Sequence, residues 1–320
     1  MTVMNSTNIV TPGSKAFNEL IRETFLETFF PLLEFQRFGE APVMQTGYNA
    51  VIWTKMPRLT NTANQALLQP GITPNPIDVS ITSVQASAQQ YGLYTILSDE
   101  LMAIGARLPI AQQSTELIAR NMAEIIDEVI QDEVFSGSNV SYAATTSGGT
   151  PAANRAALGS NNVMFTQDFF KMRTILKNRY VPFRKDLGSY LCIISDSVYY
   201  SLQTDTTTSI GQAAVRKYAQ PDQVMAGEVD KIADFRIFTT NKIKTFNSSV
   251  VVYPTLFAGE QAYGTANLQN LTPIVKGFGS GGTEDPLDQR MTIGAKVFFA
   301  AKILQPESIQ RFESAAAIPQ

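Results

Sequence analysis

The longest run of helical periodicity lies at Pro109–Phe135. From Leu117 onward, apolar residues recur three and four apart: Ile118, Met122, Ile125, Ile126, Val129, Ile130 and Val134. Glu116, Arg120, Glu124, Asp127, Glu128, Gln131 and Asp132 fall between them, so the spacing predicts one helix with an apolar face and a charged face. Pro109 fits a first turn, Arg120 stands one turn before Glu124, and Gly137 is placed to take a left-handed C-terminal conformation. At 1.5 Å per residue the helix would be roughly 40 Å long, a spine for the rest of the chain. A second amphipathic helix is expected from about Lys15 to Phe30, with Ser14 as its cap and Pro31 as its stop. Phe17, Leu20, Ile21, Phe25 and Phe29 share one face, opposite Glu19, Arg22, Glu23 and Glu27. That apolar face can lie on its own chain or on another copy; the pattern leaves both open.

Period-two alternation marks the strands. Asn49–Lys55 sets Val51 and Trp53 against Ile52, and Ile77–Ala88 sets Ile77, Val79 and Ile81 against Asp78, Ser80 and Thr82. Between them Met56–Pro76 carries Pro57, Pro70, Gly71, Pro74 and Pro76. These three stretches read as an extended two-stranded arm, which must lie on something else because an isolated hairpin is marginal in water. Gln90–Leu97 returns as a strand, and Ser98-Asp99-Glu100 opens a short helix that stops near Gly105. After the spine, Ser136–Asn162 reads as a flexible loop. Thr166–Tyr180 is a helix capped by Thr166, with Phe169, Met172, Ile175 and Leu176 as its buried stripe. Strand Tyr190–Ile194, helix Val198–Leu202 behind Ser195-Asp196, and strands within Glu228–Thr240 and Ser249–Tyr253 make a small α/β unit. A loop is expected from there to the glycine cluster Gly277–Gly282. Gln289–Leu304 alternates most regularly, through Met291, Ile293, Ala295, Val297, Phe299, Ala301 and Ile303, and Glu307–Glu313 closes the chain as a short strand or turn.

Composition narrows the chemistry. The 320 residues, 44% hydrophobic, can bury a sizeable core in more than one domain. A net charge of −3 argues against a basic nucleic-acid-binding surface, though not against a wall that merely encloses DNA. With no histidine, Ser-His-Asp and Cys-His nucleophiles and imidazole ligands are excluded. The single cysteine, Cys192, rules out an internal disulfide and sits in an apolar run, as a buried thiol does. No run of about 18 apolar residues predicts a membrane span, and the N-terminus has no pattern of a secretion signal. Gly277-Phe278-Gly279-Ser280-Gly281-Gly282 matches G-x-G-x-x-G, but Thr283-Glu284-Asp285-Pro286 follows instead of a helix, so it is read as a loop and not a phosphate cradle. Asp127, Glu128, Asp132 and Glu133 are read as a solvated or interface face and not as metal ligands. No catalytic, cofactor-binding or metal residue is assigned, and an enzyme is not expected.

Three stretches carry a resemblance. Ile77–Leu97 running into Ser98-Asp99, Asp127–Tyr142 (DEVIQDEVFSGSNVSY) and Gly227–Ile237 (GEVDKIADFRI) resemble, in order and spacing, the tailed-phage major capsid family typified by bacteriophage N4. Asp230 and Asp234 stand where that family usually has glycine. The resemblance spans about residues 15–312 and implies an α+β, Hong Kong 97-type (HK97-like) capsid fold. It further implies five parts: an N-terminal arm at 1–46, an extended hairpin arm (E-loop) at 47–98, a peripheral domain with the spine at 99–188, an axial α/β domain at 189–284, and a return strand of the peripheral domain at 285–320. The implied function is a major capsid protein whose pentamers and hexamers form an icosahedral head around double-stranded DNA, assembled in the host cytoplasm. The expected partners are the chain itself, portal and scaffolding proteins, and decoration proteins. An encapsulin-type compartment shell is the alternative on the same fold. Some relatives crosslink a hairpin lysine; Lys55 is the one lysine in Asn49–Ala88 and sits at the arm's base, so no crosslink is expected. With about a dozen residues before the first helix, a fused scaffolding segment is not expected either.

Overall fold

The computed structural model describes residues 15–29, 33–42, 44–45, 50–55, 81–104, 110–204 and 228–318. The expected cap Ser14, the stop at Pro31, the proline-rich tip Met56–Pro76, Ile77 and Val79, Gly105, Pro109 and nearly all of Thr204–Gly227 lie outside them.

In chain order the helices are α1 (Lys15–Phe29), α2 (Asp99–Ile104), α3 (Ile110–Val134), α4 (Thr166–Asn178) and α5 (Asp196–Gln203). The strands are β1 (Met44–Gln45), β2 (Ala50–Lys55), β3 (Thr82–Ser87), β4 (Gln89–Ser98), β5 (Val140–Tyr142), β6 (Tyr190–Ser195), β7 (Glu228–Ile232), β8 (Phe235–Thr240), β9 (Phe246–Asn247), β10 (Val251–Ala258), β11 (Tyr263–Lys276), β12 (Arg290–Ile303) and β13 (Ile309–Ser314). They form three sheets: β1-β2-β3, the arm base; β11-β12-β4; and a mixed seven-stranded sheet ordered β5-β13-β10-β6-β8-β7, with β9 alongside β10.

Alternation along the seven-stranded sheet divides the interior in two. Leu191, Ile193, Phe238, Leu256, Ala258 and Ile309 face a core built with α1, α3, β4 and β12. Residues of the opposite phase, including Cys192, Ile194, Ile237, Phe257 and Phe312, face a second core under α4 and α5. There Phe169 of α4 stands edge-on to Phe235 and Phe257, with centroids 6.0 and 5.3 Å away, the preferred aromatic geometry. Because both faces are covered, the central strand YLCIIS is buried at every position and shows no polar alternation.

The spine α3 is present, rotated from the expected phase. Its buried stripe is Ala111, Thr115, Ile118, Ala119, Met122, Ala123, Ile126, Ile130 and Val134, joined by Asp127 and Gln131. Leu117 is 65% exposed and Ile125 only half-buried. The alanines, which carry no apolar bulk, let α1 pack closely on this face; the apolar side of α1 (Ile21, Phe25, Phe29) therefore covers its own chain. Gly137 does not take a left-handed conformation. The helix closes instead through Ser136, whose N–H and hydroxyl both donate to the Glu133 carbonyl at 3.1 and 2.7 Å.

Four further expectations are corrected. Ser136–Asn162 is fixed, not flexible: β5 pairs parallel with β13, the Asn154 side chain accepts from Ala157 N–H, and Asn162 donates to the Ala143 carbonyl. Thr166 is the first helical residue of α4, not its cap; buried Asp168 reaches back to accept from Phe165 N–H at 3.0 Å. The expected loop before Gly277 is the 14-residue strand β11. On β3 the inward residues are Val84 and Ala86, out of phase with Ile81, which is exposed. Between β7 and β8 the turn residues Ala233 and Asp234 have φ of 49° and 70°. Asp234, at a glycine-like position, is held by Arg173 and Lys177 of α4 at 2.8 and 3.2 Å.

Candidate assembly surface

The sheet β11-β12-β4 has one face on the spine and one away from it. Leu97, Met291, Ile293, Ala295, Val297 and Phe299 turn inward to the core with α3. One end of the outer face is covered by the arm base: Val51, Trp53, Ala86 and Ala88 pack on Ala266, Ala300 and Leu304. Trp53 anchors this contact. Its ring lies where a Cβ on Gly264 would stand, 2.5 Å away, and its indole N–H donates to the Glu40 carbonyl at 3.3 Å. Gly264 is therefore a close-approach position, not a flexible one. Lys55 pairs with Glu307 at 3.6 Å, which ties the arm base to the chain's own body.

The other end of the outer face is open. The register places Tyr94 beside Gly294 beside Ile274, and Ile96 beside Thr292. Tyr94 is 74% exposed, Ile96 49% and Ile274 40%. A Cβ at Gly294 would come within 2.8 Å of the Tyr94 Cβ, so the floor between these apolar side chains is bare backbone. Contiguous exposed apolar residues of this kind mark interaction sites. The sequence carries the signal without its meaning: on β4 both the Leu93/Leu97 phase and the Tyr94/Ile96 phase are apolar, which is the pattern of a strand covered on both sides.

The charged side of the spine meets the segment after β8. Lys242 pairs with Glu124; Lys244 pairs with Asp132 at 2.5 Å and with Glu128 at 3.4 Å. Gln131 clamps the same segment, donating to the Lys242 carbonyl at 2.9 Å and accepting from Lys244 N–H at 2.7 Å. Glu133 pairs with Lys302 at 2.8 Å. Four of the spine carboxylates thus hold neighbouring lysines. Asp127 does not: it is 8% exposed and accepts from Glu34 N–H at 3.0 Å. Among the described residues, no group of three or more His, Cys, Asp or Glu has the geometry of a metal site, and no helix is long and apolar enough to cross a membrane. The glycine cluster lies between antiparallel β11 and β12 and runs into one 3-10 turn, Gly282–Glu284, not an α-helix. Cys192 is fully buried, and burial pushes its thiol well above the ordinary range, away from reactivity. Tyr199 and Phe299 are core, whereas Tyr200 is exposed.

Three comparisons bear on this geometry. The family described as phage capsid protein matches residues 81–312. No curated protein matches. Among solved structures, the chain resembles the capsid of Ralstonia phage GP4 at 12% identity, with 88% of this chain and 87% of that one covered and a TM-score of 0.63. The capsid asymmetric unit of cyanophage Pam1 (12% identity, 91% and 93% covered, TM-score 0.61) and the capsid of cyanophage P-SCSP1u (15%, 87% and 86%, 0.59) share the same fold.

Proposed function

The chain belongs to the phage capsid protein family and is a major capsid protein of HK97-like fold, and from that premise we propose how it builds its shell. Copies associate as hexamers and pentamers of an icosahedral head that encloses double-stranded DNA without reading its sequence. The division of labour follows the five parts. The N-terminal arm (1–46) and hairpin arm (47–98) link subunits, the spine region (99–188) and return strand (285–320) form the peripheral wall, and 189–284 points to the capsomer axis. Within that division, β13 pairs with β5 and β10, so the last strand also braces the axial sheet. Portal and scaffolding proteins, and decoration proteins on the outside, are the other partners of this reading.

The observation that carries it is the open end of the outer sheet face. Tyr94, Ile96 and Ile274 form an apolar strip beside an arm base already docked on the same face, and a neighbouring copy would cover it. The alternative of an encapsulin-type compartment is disfavoured by the match to a phage capsid family. Electron microscopy and sedimentation of the purified full-length chain test the reading. Closed shells are expected, with nuclease-protected DNA in particles recovered from lysates. Monomer under all assembly conditions, or shells filled with enzyme, would sink it.

A further inference from the structure

Asp127 is the buried carboxylate of the spine, held by a backbone amide and not by a lysine. Its Oδ2 accepts from the backbone N–H of Glu34, and the Phe35 and Gln36 amides lie close enough to favour its ionised form. Its Oδ1 is buried with no hydrogen-bond partner. The connector it holds follows α1 and carries three core anchors, Leu33, Phe35 and Phe38. Tyr263 of β11 holds the same connector through a hydroxyl donated to the Phe35 carbonyl at 2.7 Å.

The surrounding charges set how this contact responds to pH. Glu34 stands on the connector itself, Glu124 and Glu128 are the flanking carboxylates of the spine, and Lys242 and Lys244 line the same groove from the segment after β8. Asp196 of α5 acts on Glu34 with the same sign, and Lys242 opposes it. Both lysines near Asp127 are engaged by Glu124, Glu128 and Asp132.

We propose that the Asp127 carboxyl, bonded to the Glu34 amide, is a pH-dependent catch that seats α1 and its connector on the spine, closed when Asp127 is protonated and loosened when it ionises. Burial, with Glu34 adding to it, pushes the Asp127 carboxyl up to about 7. Glu34 is a surface residue whose carboxyl end is near enough to the protein for desolvation to raise it too. A carboxyl that is harder to ionise when docked than when released favours docking at low pH. That contribution is fully present below the released value of 3.8 and is lost as pH climbs through about 7. The ionised form, by contrast, leaves a buried charged oxygen, Oδ1, unpartnered. This inference concerns the subunit alone and holds whatever shell it builds.

Hydrogen exchange of the full-length chain at pH 6, 7 and 8, corrected for the intrinsic pH dependence of exchange, reads the catch directly. The reporters are the amides of 24–29 and those of Phe38 and Gly39, which donate to Phe35 and Gln36 carbonyls. Opening should increase about tenfold from pH 6 to pH 8, while the α4 amides stay constant. Asp127→Asn keeps an acceptor for Glu34 N–H and should abolish the trend; Glu34→Gln should keep it with a lower midpoint. An unchanged opening in the wild type, the same tenfold trend in Asp127→Asn, or an equal trend in α4 overturns the proposal. If Asp127→Asn does not fold, the wild-type contrast between α1 and α4 decides alone.

Discussion

Glu313 is fully buried, and two arginines hold its carboxylate. Arg155 approaches both oxygens, at 2.6 and 2.7 Å, and Arg311 lies 2.9 Å away. The Arg155 guanidinium also covers the Phe246 ring, 3.7 Å from its centroid. The hydrogen bond to Glu313 raises the Arg155 pKa, whereas burial lowers that of Arg311. This cluster pins the 136–162 loop to β13. Arg155→Ala should leave a buried carboxylate with a single partner and destabilise by about 3 kcal/mol, the low end for breaking a buried pair because Arg311 remains. A fall in thermal midpoint, rescued in part by Glu313→Gln, checks this. Nothing in the segment NRAAL marks Arg155 in the sequence: the partner lies 158 residues away, and a lone arginine in a Ser/Gly/Ala-rich stretch has the composition of a mobile loop.

At the scale of elements, the question is which side of the spine is buried. Ile125 and Ile126 are adjacent isoleucines, and an apolar stripe drawn from spacing alone admits either. The packed helix buries Ile126 and leaves Ile125 half-exposed. Ile126→Ala should therefore cost about 2–5 kcal/mol as a core cavity, and Ile125→Ala about 1 kcal/mol or less. Denaturation of the two variants side by side separates them, and the reverse order would overturn the phase. Asp127 belongs to the buried stripe. A carboxylate is read as a surface residue, but here a backbone N–H from 93 residues away satisfies one of its oxygens. The hairpin arm supplies a second prediction. Its base is anchored by Trp53, so shortening Pro57–Pro76 to a tight turn should leave secondary structure and thermal midpoint unchanged while shells fail to form. Normal shells from that variant, seen by electron microscopy, would show that the tip makes no essential contact between subunits.

The whole molecule presents two cores on either side of one sheet and a third sheet with an open face. Tyr94→Ser with Ile96→Ser removes apolar surface without touching the inward phase of β4. Such a variant should fold with a near-wild-type midpoint, since exposed substitutions usually change stability by only about ±0.5 kcal/mol. It should also sediment as unassembled subunits or capsomers under conditions where the wild type closes into shells. Normal assembly of the double variant would move the contact elsewhere.

The sequence by itself determined the order and type of most elements. The spine, α4, the strand YLCIIS and the long alternation of β12 all follow from local periodicity, which a residue shares with neighbours a few positions away. The missing histidine and the single cysteine settled much of the excluded chemistry in the same way. The strand β11 escaped because YGTANLQNLTPIVK is polar and contains a proline, and it is ordered by a neighbour that lies beyond a turn. Only the tertiary structure decided that Ile309–Ser314 enters the sheet between β5 and β10, that Trp53 finds a bare glycine at 264, and that Asp127 is inside. Each of these depends on contacts between residues more than 50 positions apart. No periodicity encodes such pairs, because their partners are chosen by how whole layers pack.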